Sequence, residues 1–405
     1  MPKDLRILLL ATCFPKPSKP WAYYWAIEQA WALQRVAEVR VVSPTSWVPA
    51  VAARFGKARD WALCPSQHQW QTFEAQYPRW LAYQAGRLAA AAYVNPEPQM
   101  RIGWYSIAPA LRRAARRFRP DVILSHHTAT SGYLAMRLGR ELGLPFVTVD
   151  WDFDELESAE RLPLRRAFLR RVFTAAAASV AVARRMERAV RALHPAATTR
   201  TIYSGVAPIE PDYWKTPRPA DVSNRTVIYS AANFYERKGG LLLVSAFAKI
   251  AARYPGAVLR VAGYGQQVGQ MAELAGRLGI AGQFQFLGTQ THERVLQEIV
   301  WCDLFALFGW NEPFATVYME AMAAGKPIAC ASDGGVNDLL TDGQEGIAVA
   351  PRNVDAAAAA LDRLLSEPSA RLQMGAAGRQ LFDRHLDSRH TADQLLQTLH
   401  AAVNR

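Results

Sequence analysis

Short apolar runs alternate with helical segments along the whole chain, and this alternation constrains the fold more than any other feature. An apolar run, a helix and another apolar run read as one turn of a parallel sheet wound by helices. In the first half the predicted strands are Leu5–Ala11, Val39–Ser43, Asp121–Ser125, Phe146–Val149, Ser179–Ala183 and Thr201–Tyr203. In the second they are Thr226–Ala231, Val258–Ala262, Phe284–Leu287, Leu304–Leu307 and Pro327–Cys330, with terminal helices from Val354. Two doubly wound α/β units follow, residues 1–204 and 225–385. Between them Gly205–Asn224 reads as a linker, punctuated by Pro208, Pro211, Pro217 and Pro219 and lacking periodicity. Residues 386–405 read as a last helix packing back towards the first unit. Ligands of such sheets bind beyond the carboxyl ends of the strands, so two facing units predict a cleft. Ser46–Met100, rich in Trp, Gln and Ala, reads as an insertion.

Composition excludes several classes. Half of the 405 residues are hydrophobic and a fifth charged, which is neither a disordered chain nor a fibre. Cys13, Cys64, Cys302 and Cys330 lie far apart with no C-x-x-C, so neither a disulfide framework nor a zinc site is expected. MPKDLRILLLATCFP begins like a leader, but its apolar run is short, prolines follow and no small-residue cleavage site appears. It reads better as a buried first strand. No run of roughly eighteen apolar residues is present, and the expectation is a soluble, reduced, cytoplasmic protein.

The net charge of +12 is unevenly placed. Residues 1–215 carry 30 Lys+Arg against 17 Asp+Glu, and the remainder 17 against 18. Ten of the twelve tryptophans also precede residue 216. The halves therefore expect different ligands. Leu111–Arg119 (LRRAARRFR) and Leu164–Phe173 (LRRAFLRRVF) read as amphipathic helices with basic faces. They fit solvated surfaces, or an anionic acceptor or membrane. No nucleic-acid module is present, so nucleic acid is not expected as a partner.

The chemistry concentrates in Glu312–Ile328, EPFATVYMEAMAAGKPI. It follows a predicted strand and runs into a helix near Thr316–Ala324, placing Glu312 in the strand-end loop and Glu320 on the helix. The N–H groups of Phe314, Ala315, Thr316 and Val317 open that helix, where anions are favoured. Two carboxylates beside such a terminus suit a ligand carrying hydroxyls and phosphates; a loop charge and a solvated helix face is the plainer alternative. After another strand, AANFYERKG brings Lys238 and Gly239 to a helix start, with Arg237 as a second cation for phosphate. Val258–Gly265 ends a further strand in Gly263 and Gly265, and Gly334-Gly335 follows the strand after the glutamates.

Taken together these motifs resemble glycosyltransferase family 4, nucleotide-sugar transferases of the GT-B fold. The resemblance rests on the E-x7-E of Glu312 and Glu320, Lys238-Gly239, Phe286-Leu287-Gly288, the run Glu320–Pro327 (EAMAAGKP) and Gly334-Gly335. It implies that residues 225–385 bind the nucleotide-sugar donor and residues 1–204 the acceptor. It implies that Glu312 contacts the donor sugar and Glu320 the ribose, with Gly239, Gly263, Gly265, Leu287 and Phe314–Val317 lining the donor site. Lys238 holds the diphosphate, usually with an arginine five residues earlier; here that position is Asn233. Retention of anomeric configuration is implied, with no metal and no other cofactor.

The first half matches less fully. Phe14-Pro15 and Gln29-x-x-Ala32-Leu33 resemble the family's first loop and helix, without the glycine expected near Ala22–Tyr24. DVILSH ends in His126, an acceptor-side candidate. Where many members carry His-Gly, this chain has Asp150-Trp151-Asp152; Asp150 is the substitute acid–base candidate and Asp152 an acceptor-side one. Tyr203–Val206 resembles the interdomain segment.

Some alternatives remain open at this level. Asp150-x-Asp152 also spells a divalent-metal motif of another glycosyltransferase class, and Gly263-x-Gly265-x-x-x-Gly269 resembles a dinucleotide fingerprint but lacks the acidic residue closing the next strand. The expected function is sugar transfer to a glycan or lipid-linked acceptor in polysaccharide or glycolipid synthesis, with peripheral association to an anionic membrane surface. Alternatives are a nucleotide-sugar epimerase and a catalytically silent nucleotide-sugar-binding protein.

Overall fold

A computed structural model describes residues 5–54, 56–83 and 86–404. Met1–Asp4, the start of the leader-like segment, lie outside the described residues, as do residues 55, 84 and 85 of the expected insertion. The chain divides into two compact units, Met1–Ser204 with Ser388–Arg405, and Gly205–Asp387.

The first unit contains β1 (Arg6–Ala11), β2 (Glu38–Val42), β3 (Thr45–Ser46), β4 (Gln67–Gln69), β5 (Glu74–Gln76), β6 (Arg79–Trp80), β7 (Val122–His126), β8 (Phe146–Asp150), β9 (Ala178–Ala181) and β10 (Thr199–Thr201). Eight of them form one sheet in the order β10-β9-β8-β7-β1-β2-β5-β4, parallel except for the β4–β5 pair. Ile7–Ala11 and Val122–His126 are wholly buried, as strands covered by helices on both faces require. The chain leaves β1 in one direction for β2 and in the other for β7, so the sheet's switch point lies between β1 and β7. The helix Ser388–Val403 belongs to this unit and packs on the helix Tyr24–Gln34.

The expected insertion holds β4, β5 and β6, and β6 pairs with β3 at its start in a separate two-stranded piece. The last strand of the unit is Thr199–Thr201, two residues earlier than its apolar pattern predicts; it pairs with Ser179–Ala181, and Thr199 and Thr201 both donate to Glu187.

The second unit contains β11 (Thr226–Asn233), β12 (Ala257–Tyr264), β13 (Phe284–Phe286), β14 (Leu304–Leu307), β15 (Ile328–Ala331) and β16 (Gly346–Val349). All pairs are parallel, in the order β13-β12-β11-β14-β15-β16. Numbered within the unit this is 3-2-1-4-5-6, the doubly wound dinucleotide-fold order, with the switch point between β11 and β14. The sequence pattern missed β16, a four-residue run after a turn at Asp342–Gly343. Gly205–Asn224 proves to be an integral margin of this unit rather than a free linker. Arg218 reaches the Trp301 carbonyl and Asp303, Trp301 Nε1 donates to Thr216 O at 2.9 Å, and Asp221 pairs with the buried Arg260 at 3.1 Å.

Candidate active site

The carboxyl ends of β11 and β14, flanking the switch point of the second unit, carry the two groups with the clearest chemical relation. After β11 the chain makes a short 3-10 turn, Glu236–Lys238, and Gly239 reverses it at φ 66°. A Cβ on Gly239 would lie 2.4 Å from the carbonyl oxygen of Phe308. Glycine therefore lets this turn press against the end of β14, where Trp310 N donates to Arg237 O at 3.0 Å. The approach brings Lys238 Nζ to 2.6 Å from Glu312 Oε2.

Glu312 is 3% exposed and its backbone is pinned as well. Gly335 N donates to Glu312 O at 2.8 Å, and the preceding amide of Asn311 donates to Asp333 Oδ2 at 3.1 Å. Gly334 and Gly335, singled out in the sequence, thus buttress the loop. The other carboxylate oxygen, Glu312 Oε1, has no hydrogen-bond partner among the described residues; the nearest cation is Arg237, 3.9 Å away. Arg237 itself donates to Asn311 O and, at 2.9 Å, to the Tyr235 hydroxyl. Its guanidinium holds the loop that carries Glu312. Asn233 ends β11 on the exposed side.

Glu320 repeats the arrangement. It is 3% exposed on the helix Thr316–Ala323, its Oε1 lies 2.8 Å from His292 Nε2, and its Oε2 is unpartnered among the described residues. A buried carboxylate oxygen left unpaired costs free energy unless something binds it. Two such oxygens along one sheet edge mark places where a ligand's donors would fit. The helix between them opens at Ala315, which has no side-chain oxygen to cap its N–H groups.

Gly263 and Gly265 close β12 for a reason internal to the sheet. Added Cβ atoms would meet Ala232 O at 1.9 Å and Phe234 O at 2.3 Å, so the glycines admit the neighbouring strand end. Leu287 follows β13, half-buried, and its amide donates to Val261 O at 2.8 Å.

In the first unit the switch point between β1 and β7 gathers a different set. His126 ends β7 fully buried, its Nε2 2.6 Å from Gln29 Oε1. Burial, reinforced by the neighbouring His127, pushes its pKa well below the usual range and keeps the ring neutral; facing the acceptor oxygen of Gln29, it fits the tautomer with the proton on Nε2. Trp25 stacks on Trp151 with ring centroids 4.0 Å apart, and His126 lies 5.2 Å from Trp25. His127 Nδ1 is 2.9 Å from Glu155 Oε2. Burial opposes the imidazolium of His127, yet Cys13 and Glu155 outweigh it and raise the pKa well above the ordinary value.

Asp150 lies beneath this edge, wholly buried, and accepts from Thr128 N and Thr128 Oγ1, both at 2.9 Å. Burial, then the charge of Glu155, pushes its pKa up to about 7. One oxygen holds the Thr128 amide and the other the Thr128 hydroxyl, so Asp150 ties the end of β8 to the turn after β7. Asp152 caps the short helix Phe153–Glu157, accepting from Asp154 N at 3.1 Å. The two carboxylates of the D-x-D thus serve different structural tasks.

With the geometry in view, the family comparison decides the identity. Residues 214–381 match the glycosyl transferases group 1 model and residues 84–209 the glycosyltransferase family 4 model, in tandem. The chain belongs to glycosyltransferase family 4. Glycogen synthase of Mycobacterium tuberculosis is 30% identical over 176 residues, 44% of this chain and 42% of that protein. D-inositol 3-phosphate glycosyltransferase of Rhodococcus opacus is 33% identical over 185 residues, 44% of this chain and 41% of that protein. The chain therefore spans less than half the length of these two relatives. Anabaena HepE, solved in complex with UDP and glucose, superposes with a TM-score of 0.71 at 18% identity, covering 98% of this chain and 100% of that one. The fold is that of the GT-B enzymes.

Near Ala22–Tyr24, where the family places a glycine, Tyr23 adopts the left-handed conformation at φ 59°. A glycine would take that conformation at no steric cost. Sequence reasoning missed His292, Asp333 and Glu155. His292 stands 28 residues before Glu320, beyond any local spacing rule.

Proposed function

We propose that this family 4 protein is a metal-independent glycosyltransferase that moves a sugar, with retention, from a nucleoside-diphosphate sugar to a glycan or lipid-linked acceptor. The observation that carries the reading is the pair of buried carboxylates, Glu312 and Glu320, each with one oxygen anchored and the other without a hydrogen-bond partner among the described residues. Such oxygens accept hydroxyl hydrogens, and a nucleotide sugar offers hydroxyls at both its sugar and its ribose. Lys238 carries the cation that the departing diphosphate needs, 17% exposed and bonded to Glu312 by a single contact it can exchange for phosphate. The N–H groups opening the helix at Thr316 add fixed dipoles where negative charge develops. No step in this scheme needs a metal ion.

The acceptor reading rests on the first unit's edge, where His126, the Trp25–Trp151 stack and the His127–Glu155 pair converge. Its basic surface supports a lipid-borne acceptor. The helix Glu97–Phe118 buries Trp104, Ile107, Leu111, Ala115 and Phe118, and turns Arg113, Arg116 and Arg117 outward beside exposed Ile102 and Tyr105. No helix of the described residues is long and apolar enough to cross a membrane. The second basic helix is less available, since Arg165 is buried against Glu155 O and Tyr93 O and Arg171 pairs with Glu97.

The test is transfer by the purified protein with product analysis by NMR. Wild type yields the anomer of the donor's own configuration, and Glu312→Ala lowers turnover roughly 100-fold or more while nucleotide binding survives. An inverted product, or an unchanged turnover in the variant, overturns the proposal.

A further inference from the structure

We infer that His292 is a positioning residue that sets nucleoside recognition by holding Glu320 in its binding orientation. The inference rests on the proposed donor site and deepens it. His292 is the first residue of the helix His292–Trp301, which is capped by Thr291 Oγ1 accepting from Arg294 N at 3.2 Å. The segment before it is tied to β12, with Leu287 N donating to Val261 O and Gly263 N to Gly288 O, both at 2.8 Å. His292 therefore starts from a fixed point beside the end of β12 and reaches the neighbouring helix, where Nε2 lies 2.8 Å from Glu320 Oε1.

The consequence follows from burial. Glu320 is 3% exposed, and its other oxygen has no partner among the described residues. A buried carboxylate so placed keeps one rotamer only through what bonds it. Remove the imidazole and the side chain loses the contact that fixes its orientation, so Oε2 no longer stands ready for a ligand hydroxyl. Lys238 and Glu312, by contrast, bond each other, and the loop that carries Glu312 is held through Asn311 by Arg237 and Asp333. The structure thus separates a nucleoside-side anchor from a phosphate-side anchor within one sheet edge.

The experiment is calorimetric titration of wild type, Glu320→Ala, His292→Ala and His292→Gln with UDP, GDP, ADP and inorganic pyrophosphate. For whichever nucleotide wild type binds, His292→Ala raises Kd roughly tenfold, the loss of one charge-assisted hydrogen bond. Pyrophosphate affinity stays within about twofold, which a loss of folded protein would not allow. His292→Gln, whose amide can still donate to Oε1, recovers part of the affinity, and adding His292→Ala to Glu320→Ala costs little more. Failure of the positioning role shows as a weak Glu320→Ala beside an unaffected His292→Ala, or as equal losses for nucleotide and pyrophosphate. Failure of the donor-site reading shows instead as no binding of any nucleoside diphosphate by wild type.

Discussion

Lys238 and Glu312 face each other at 2.6 Å, and neither residue alone explains the other's position. A glycine at 239 admits the turn, the turn delivers the lysine, and the lysine compensates a carboxylate that burial would otherwise disfavour. Breaking the pair from either side should therefore be unequal. Lys238→Met leaves a buried carboxylate uncompensated and removes the phosphate cation, so turnover falls roughly 100-fold or more. Glu312→Gln preserves the shape and should keep nucleotide affinity within a few-fold, as read by calorimetry. Gly239→Ala tests the cause of the approach: a left-handed φ and a Cβ 2.4 Å from Phe308 O should lower stability by about 2 kcal/mol in urea unfolding. An alanine variant of wild-type stability would mean that the turn does not depend on the close contact.

Among elements, the π-helical turn His127–Gly132 after β7 is the most tightly supported piece of the first unit. Asp150 bonds its Thr128 amide and hydroxyl, Glu155 bonds His127 and Ala129, and Ser131 bonds Thr12 after β1. The support has a pH signature. Burial and the charge of Glu155 hold Asp150 up to about 7 in the folded chain, against 3.8 for an ordinary aspartate, so between those limits the folded state binds the extra proton. Stability contributed by this group is then lost as pH rises from about 4 through 7, the reverse of an ordinary paired carboxylate. His127, raised well above 6.5, declines in the same direction at higher pH. Glu155 and His126, shifted downward, act oppositely as pH falls. Asp150→Asn should flatten the fall in melting temperature between pH 5 and pH 7.5. A slope identical to wild type would remove Asp150 from this role.

The same elements show what was legible beforehand. The βα alternation, the boundary near residue 204 and the E-x7-E spacing could be read because each is local: a run, a break, a fixed separation on one helix. Fully buried parallel strands such as β1 and β14 announce themselves by continuous apolar residues. β16 did not, being four residues long. The roles of Asp150, Arg237 and His292 depend on partners 22, 74 and 28 residues away, and only the folded sheet brings those together.

For the whole molecule, the division of charge is the property that matters most. Residues 1–215 hold the entire excess of positive charge, while the remainder, with the proposed donor site, is almost neutral. A diphosphate needs only Lys238 and a helix terminus. The surplus faces something else, and the outward arginines of the helix Glu97–Phe118 with Ile102 and Tyr105 fit an anionic lipid surface. Cosedimentation with vesicles containing phosphatidylglycerol should be strong at low salt and weaken with ionic strength. Arg113→Gln with Arg116→Gln and Arg117→Gln should reduce binding by about tenfold, roughly 1 kcal/mol per residue being partly screened. Equal binding to neutral vesicles would contradict the electrostatic assignment.

The central claim is that the second unit grips a nucleotide sugar between Glu312 and Glu320, and a thermal-shift screen of UDP-, GDP- and ADP-sugars tests it most directly. One base class should raise the melting temperature of wild type by about 5 °C at saturating concentration, and Glu320→Ala should lose most of that shift at the same concentration. A wild-type protein whose melting temperature none of these sugars moves, or a shift that Glu320→Ala retains in full, would contradict the account.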